Sequence, residues 1–387
     1  MRIGLVHPSL STIGGAELVF LEMIIALQES GHTVTAYTTD RVDWKKIGRD
    51  LRYHAVPENE CYVFQQLPRT RITIVNLFLF AYSYLRLLFC AKRSEEALSI
   101  NNYGEIFPSM ADISYVHSVP LIAIDGKNGE NPYQIPFWRI TSRLYALLYH
   151  ILEKITEPNM VITNSSYNAE IIKRHSRIET LVLHPPVNSI TKDCDVSEKE
   201  NVILTVSRIN SKKNLSIIPE VAERVDGEVK FVIMGRTDER SMAVLKDIQE
   251  SSRKHGVADR LDVVLDPDRG EIEEAFRRAS IYLSTQPTEA FGMAVVEAMA
   301  AGCIPVVPRD GGPWFDVLDG RQGRFGFSFT NPGQAAELIR RILSNENLRL
   351  EISKRARRRS LKYCSERFRA RFLSLIEGFH ERTLASN

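Results

Sequence analysis

Short apolar runs alternate with amphipathic stretches along nearly the whole chain. RIGLVHP reads as a strand, and GGAELVFLEMIIALQESG as a helix with apolar positions every three to four residues, closed by Gly31. HTVTAYTT is the next strand, and EALSINN, DISYVHS and MVITNSS follow as further ones. A polar segment with two prolines, His184–Asn201, then reads as a linker. NVILTVSR opens a second series. A helix NLSIIPEVAERV, strands KFVIMG and LDVVL, a helix EIEEAFRRA and a strand IYLSTQ lead to a helix within EAFGMAVVEAMAAG and a strand IPVVP.

Short apolar strands that alternate with helices of ten or more residues predict parallel sheets covered by helices on both faces. The fold class is therefore α/β, with two doubly wound Rossmann-like domains and a cleft between them. The expected bounds are residues 1–187 and 188–365, with the helix SERFRARFLSLIEGFHERT of residues 366–387 packing back across the junction.

Composition narrows the function. The 387 residues carry a formal net charge of +2 with 25% charged residues, which gives no case for a nucleic-acid partner. Five scattered cysteines without a CxxC pair argue for a reducing, cytoplasmic setting and against a zinc knuckle or disulfide scaffold. MRIGLVHPSL turns polar too soon for a signal peptide. The apolar stretch Ile72–Arg93, ITIVNLFLFAYSYLRLLFCAKR, is broken by Asn76, Tyr82, Ser83, Tyr84 and Arg86. It reads as a buried helix in preference to a spanning one. A third reading stays open, in which its aromatic side rests on a membrane with Arg71, Arg86, Lys92 and Arg93 near lipid phosphates.

Ligands of doubly wound sheets bind beyond the carboxyl ends of strands, where loops enter helix N-termini. Four segments occupy such places. In TEAFGMAVVEAMAAG a helix should begin near Phe291–Met293, and its free N–H groups favour a phosphate. Glu289 precedes that turn and would repel a phosphate, so a sugar hydroxyl suits it better; Glu297 can accept from two adjacent hydroxyls, as on a ribose. Taken singly, either acid also reads as a cap or a solvated glutamate. In SRINSKKN, Arg208 and Lys213 follow a strand and can neutralise phosphate, although KK before a helix is often plain surface. In STIGGAE, Gly14 and Gly15 open the first helix without forming a GxGxxG fingerprint. In YVHSVP, His117 ends a strand, and a single histidine is more often a satisfied structural residue than a catalyst.

This set resembles the retaining GT-B glycosyltransferases of family 4, the glycosyl transferases group 1. The matching residues are GGAE near the start, His117, SR…K at Arg208 and Lys213, and E-x7-E at Glu289 and Glu297. YVHSVP, HPPV and GGPWFDV are most similar to mannosyltransferases that extend lipid-linked oligosaccharides from GDP-mannose. The resemblance implies that Arg208 and Lys213 neutralise a departing diphosphate, Glu289 binds donor-sugar hydroxyls and Glu297 the ribose. It also implies that amides of Phe291, Gly292 and Met293 hold sugar and phosphates. His117 would sit by the anomeric centre through its carbonyl and imidazole, and Gly14–Gly15 would meet the diphosphate from the opposite domain. SR stands where GR is commoner, and DPD (Asp266–Asp268) where many relatives carry a small loop residue.

DPD invites a metal reading. Pro267 instead fixes a turn, Asp268 can cap the next helix, and the basic side chains supply the charge, so no metal or cofactor is expected. KRARRRS (Lys354–Ser360), a run that tempts a nucleic-acid reading, falls in a helical stretch with acids nearby and reads as solvated or lipid-facing surface. The expected activity is metal-independent transfer of a hexose, best matched by mannose, from a nucleotide-sugar donor to a glycan or lipid-linked acceptor. The setting is the cytoplasm or the cytoplasmic face of a membrane. An epimerase on the same architecture and a non-catalytic nucleotide-sugar or lipid-binding module are the alternatives.

Overall fold

The computed structural model describes residues 1–11, 13–51, 53, 55–68, 73–94, 96–105, 110–118, 160–176, 178–187, 199–238 and 241–386. In chain order, the first elements are β1 (Arg2–Val6), α1 (Gly15–Glu29), β2 (Thr33–Asp40), α2 (Trp44–Leu51), β3 (Asn59–Phe64) and α3 (Thr73–Arg93). β4 (Leu98–Asn101), β5 (Ile113–Val116), β6 (Met160–Thr163), α4 (Ser166–Ser176) and β7 (Thr180–Val182) follow. Next come β8 (Glu200–Val206), α5 (Ile218–Glu223), β9 (Lys230–Gly235), α6 (Ser241–Lys254), β10 (Leu261–Leu265), α7 (Arg269–Arg278) and β11 (Ala279–Leu283). α8 (Met293–Ala300), β12 (Ile304–Pro308), β13 (Phe327–Phe329), α9 (Pro332–Leu343), α10 (Glu346–Ser360) and α11 (Ser365–Ser386) complete the series.

The chain divides into two compact units, Met1–Pro186 with Ser365–Asn387, and Val187–Cys364. The first has a parallel sheet of order β3-β2-β1-β4-β5-β6-β7 and the second one of order β10-β9-β8-β11-β12-β13. Each order reverses once, between β1 and β4 and between β8 and β11, so each unit has one switch point where loops part at the strands' carboxyl ends. The central strands are apolar on both faces because helices cover both: β12 is buried at all five positions, as is β11.

The last helix belongs to the first unit for two reasons. Phe368, Phe372, Ile376 and Phe379 complete that unit's core beside α1. Buried Glu22 on α1 also accepts from Tyr53 Oη and Ser365 Oγ, each at 2.7 Å, and pairs with Arg369 at 3.3 Å. A buried carboxylate with three partners fixes where that helix docks.

The stretch 72–93 forms a helix from Thr73. Ser83, Tyr84, Leu87, Leu88 and Ala91 are buried, and α3 packs on β1, β2, β3 and β4. Among the described residues, no helix is long and apolar enough to cross a membrane. Its other side exposes Tyr82, Phe89 and Val75 together with Arg86, Lys92 and Arg93.

Candidate active site

The second unit's switch point is built from two loops. After β8 the chain passes Ser207 and Arg208 into a single 3-10 turn, Ser211–Lys213, ended by Asn214 in a left-handed conformation (φ 50°). After β11 it runs through Ser284–Gly292, with Thr288 also at positive φ (55°), before α8 begins at Met293. Thr285 ties the loops together: its hydroxyl donates to the Lys213 carbonyl at 2.6 Å, and its own carbonyl accepts from Asn214 Nδ2 at 3.5 Å. Lys213 Nζ then reaches Glu289 Oε2 at 2.5 Å.

Gly292 caps α8 at φ 86°, a conformation glycine adopts without strain, and its carbonyl accepts from the amides of Val295 and Val296. The turn before it rests on Gly311 and Gly312. The Gly312 amide donates to the Glu289 carbonyl at 2.8 Å. A Cβ on Gly311 would lie 2.6 Å from the Glu289 carbonyl oxygen, and one on Gly312 would lie 2.1 Å from that of Ala290. Phe291 is buried against Tyr363, so this residue presents only its backbone. Met293 is half-buried at the first position of α8.

Glu297 lies one turn into α8 and meets Arg269, the first residue of α7, at 3.2 Å. Arg269 Nε is itself held by Glu273 at 2.9 Å. Burial pushes the Glu297 carboxyl above its ordinary pKa, and the guanidinium works against that rise. Asp268 caps α7, accepting from Glu271 N at 2.8 Å while Glu271 accepts from the Asp268 amide at 2.8 Å. Asp266 binds the Thr237 amide and hydroxyl at 2.8 and 2.7 Å. Both acids of DPD therefore serve local structure. Arg208 is exposed, and its guanidinium has no ion pair among the described residues.

In the first unit, residues at the carboxyl ends of β1, β4 and β5 share one hydrogen-bond network. His117 follows β5, and its Nε2 is 2.8 Å from the Asn102 carbonyl. Asn102 Nδ2 donates to the Ala16 carbonyl at 3.0 Å and lies 3.2 Å from His7 Nδ1. His7 Nε2 is 3.4 Å from Glu17 Oε1, and Glu17 Oε2 accepts from the Gly14 amide at 2.7 Å. The amides of His117 and Ser118 both donate to buried Glu105, at 2.8 and 2.7 Å. The His117 carbonyl accepts from Asn164 Nδ2 at 2.6 Å and Asn168 Nδ2 at 3.3 Å.

Burial holds His117 down to a pKa of about 3, and nearby His7 adds to the effect. Burial pushes Glu105 up to about 7 against the pull of the amides it accepts from. Burial also works to raise Glu17, but its bond and attraction to His7, with backbone amides, hold it below its ordinary value.

Structure thus pairs Lys213 directly with Glu289, links Gly14 to His117 through three side chains, and joins Glu297 to a partner outside the sequence motifs. The Gly14 amide, expected with Gly15 to meet a diphosphate, here donates to the Glu17 carboxylate. His7, Asn102, Glu105 and Arg269 carry no motif of their own. The switch-point rule was the signal for the first two, since each directly follows a central strand.

Residues 188–359 match the family Glycosyl transferases group 1. The second unit is a glycosyl transferases group 1 domain. E-x7-E, Arg208 and Lys213 all lie within this group 1 domain. A curated relative from Neurospora crassa, named GDP-Man:Man(3)GlcNAc(2)-PP-Dol alpha-1,2-mannosyltransferase, is 26% identical over 337 residues, 78% of this chain. The chain spans only 59% of that protein's length, and about half of its namesakes from Dictyostelium discoideum and Homo sapiens.

Among solved structures, Anabaena Alr3699/HepE in complex with UDP and glucose is similar at a TM-score of 0.73 and 16% identity, covering 98% of this chain and 100% of that one. The sucrose-phosphate synthase from Thermosynechococcus elongatus is similar at 0.74 and 18%, with 100% of both chains covered. These likenesses show the fold, which is GT-B.

Proposed function

We propose that the chain is a retaining, metal-independent glycosyltransferase that moves mannose from GDP-mannose to a hydroxyl of a lipid-linked glycan. One observation carries the reading. Within the group 1 domain, a basic loop and an E-x7-E turn meet at the switch point, with Lys213 on Glu289 and Glu297 one helical turn beyond. The name of the Neurospora crassa relative supports mannose, guanosine and a dolichol-linked acceptor as the specific choices.

In this reading the donor's C1–O bond breaks and its electrons pass to the diphosphate. Arg208, Lys213 and the amides at the start of α8 stabilise the charge that develops there. The acceptor oxygen bonds to C1 from the same face, and its proton moves to the leaving phosphate. Glu289 accepts from sugar hydroxyls and Glu297 from the ribose diol, as ionised carboxylates do. We also infer a peripheral contact between the exposed side of α3 and an anionic membrane, where the acceptor's lipid would lie.

Thermal-shift measurements with GDP-mannose, UDP-glucose and UDP-N-acetylglucosamine test the donor, because the correct ligand stabilises by mass action. GDP-mannose should give the largest shift, followed by transfer to a dolichyl-diphosphate glycan that persists in chelator. No shift with any donor, or an isomerised sugar from donor alone, overturns the reading.

A further inference from the structure

Three arginines of the second unit gather around one carboxylate at the end of its sheet away from the switch-point loops. The segment Asp319–Phe325 leads into β13 at its amino end, and β13 runs parallel to β12. Gln322 pins this loop to β13: its Nε2 donates to the Ser328 carbonyl and its Oε1 accepts from the Ser328 amide, each at 2.9 Å. Arg321 and Arg324 are therefore carried on a fixed frame. Arg359 reaches the same place from the last turn of α10, donating to the carbonyls of Asp316 at 2.8 Å and Val317 at 3.2 Å. Arg324 and Arg359 both lie against the Phe325 ring, at 4.9 and 5.1 Å, which limits their freedom to turn away.

Asp319 does not satisfy the three. Arg324 Nη1 donates to it at 2.8 Å, whereas Arg321 Nε stands at 3.7 Å and Arg359 Nη2 at 3.6 Å, both beyond hydrogen-bond reach. The Arg321 guanidinium has no hydrogen bond among the described residues, and neither has Arg359 Nη1. One carboxylate cannot neutralise three guanidiniums. Donors thus converge on a place where the protein supplies too little negative charge.

We propose that Arg321, Arg324 and Arg359 form a binding site for a phosphomonoester dianion, either free phosphate or the headgroup of a lipid. Guanidinium forks match the oxygens of a tetrahedral phosphate, and a doubly charged anion supplies what Asp319 alone does not. The site lies at the opposite end of the parallel sheet from Lys213 and Glu289 and does not depend on the transferase reading.

Arginine side-chain NMR of the nitrogen-15-labelled full chain, titrated with inorganic phosphate against chloride at equal ionic strength, tests the free anion. Signals of Arg324 and Arg359, assigned through Arg324→Gln and Arg359→Gln, should move with phosphate only. Arg321→Gln combined with Arg324→Gln should weaken the apparent affinity by about tenfold or more, the scale of a charge-assisted hydrogen bond. Asp319→Asn removes the competing carboxylate and should tighten binding several-fold; asparagine tolerates the positive φ (63°) of this position. Lys213→Ala should leave the response of these signals unchanged, which separates the site from the basic loop after β8.

Sedimentation with phosphatidylcholine vesicles containing phosphatidic acid tests the headgroup. It is run with Arg86, Lys92 and Arg93 replaced by Gln, so that pelleting reports the second unit, and adding Arg321→Gln and Arg324→Gln should abolish it if the phosphate is a lipid's. A response in either arm that depends on these arginines supports the site. Arginine-independent behaviour in both arms, or a phosphate response that folded Asp319→Asn fails to strengthen, overturns it. Should Asp319→Asn not fold, the two exposed arginine substitutions still decide.

Discussion

Lys213 Nζ lies 2.5 Å from Glu289 Oε2, so the cation expected to neutralise a diphosphate and the acid expected to hold the sugar are bonded to each other. Both side chains are about one-fifth exposed, and each orients the other. Their roles still separate, because a sugar hydroxyl bonds to a carboxylate and a phosphate to an ammonium. Glu289→Ala should abolish transfer while leaving GDP binding within about twofold, a change below 0.5 kcal/mol. Lys213→Ala should weaken GDP binding by about tenfold or more, the loss of one charge-assisted hydrogen bond. Calorimetry with free GDP checks both, and equal losses in the two variants would contradict the assignment.

The second acid should behave differently. Glu297 is raised by burial and restrained by Arg269, so its ionised form depends on that guanidinium. The form that accepts two ribose hydroxyls exists above its pKa, and affinity is lost as pH falls through that value. Arg269→Gln removes the restraint and moves the loss to higher pH. GDP titrations over a pH series should show binding lost at a higher pH in Arg269→Gln than in the wild type, and Arg269→Lys should stay close to wild type.

Much of the fold can be read in the sequence, because parallel strands buried on both faces leave unbroken apolar runs such as IYL and IPVV. β3, β7 and β13 escape that reading: NECYVF opens on two polar residues, and the other two are three residues long. The pattern of NLSIIPEVAERV predicts one helix, but the structure gives a 3-10 turn, Leu215–Ile217, followed by the short α5. In the site, Lys213, Glu289 and Glu297 are marked by spacing within single loops. His7, Asn102 and Glu105 are not, because their meaning comes from the segments after β1 and β4 meeting the end of β5. Arg269 is hidden for the same reason, being brought to Glu297 only by the sheet order. In the sequence Gly311 and Gly312 stand out only through the GGPWFDV likeness, while their physical reason is backbone contact with a turn more than twenty residues earlier.

That contact makes its own prediction. A methyl group at Gly312 would overlap the Ala290 carbonyl at 2.1 Å, and Gly311 also requires positive φ (77°). Gly312→Ala should cost about 1–3 kcal/mol in stability, the usual range for overpacking, and should displace the turn that carries Glu289. Urea unfolding and the transfer assay should both register the change. A variant of normal stability and activity would show that the turn does not depend on this contact.

His117 and Glu105 pull stability in opposite directions with pH. His117 falls from 6.5 to about 3 on folding, so the unfolded chain binds the extra proton between those values and stability rises with pH across that window. Glu105 rises from 4.5 to about 7, so the folded chain binds the extra proton and stability falls as pH climbs through that range. Between 4.5 and 6.5 the two slopes cancel. His117→Gln should expose a decline with pH over that interval and Glu105→Gln a rise, each at most about 1.4 kcal/mol per pH unit. Denaturation midpoints at a series of pH values check the signs, and parallel profiles for both variants would contradict the assignment.

α3 offers the remaining test. Val75, Tyr82, Arg86, Phe89 and Arg93 recur at helical spacing along its exposed side, and the helix contains no acidic residue. Arg93 lies over the Phe89 ring at 4.2 Å, which places a cation beside an apolar group as an interface between headgroups and acyl chains requires. Each basic side chain near an anionic surface contributes on the order of 1 kcal/mol, so replacing Arg86, Lys92 and Arg93 together by Gln should greatly reduce co-sedimentation with phosphatidylserine vesicles. Tyr82→Ser with Phe89→Ser should weaken binding to the same vesicles even at high salt, where charge attraction is screened. Because these side chains point away from the core, neither set should lower the melting temperature. Pelleting that is absent in the wild type, or indifferent to both sets, would remove α3 as the membrane contact.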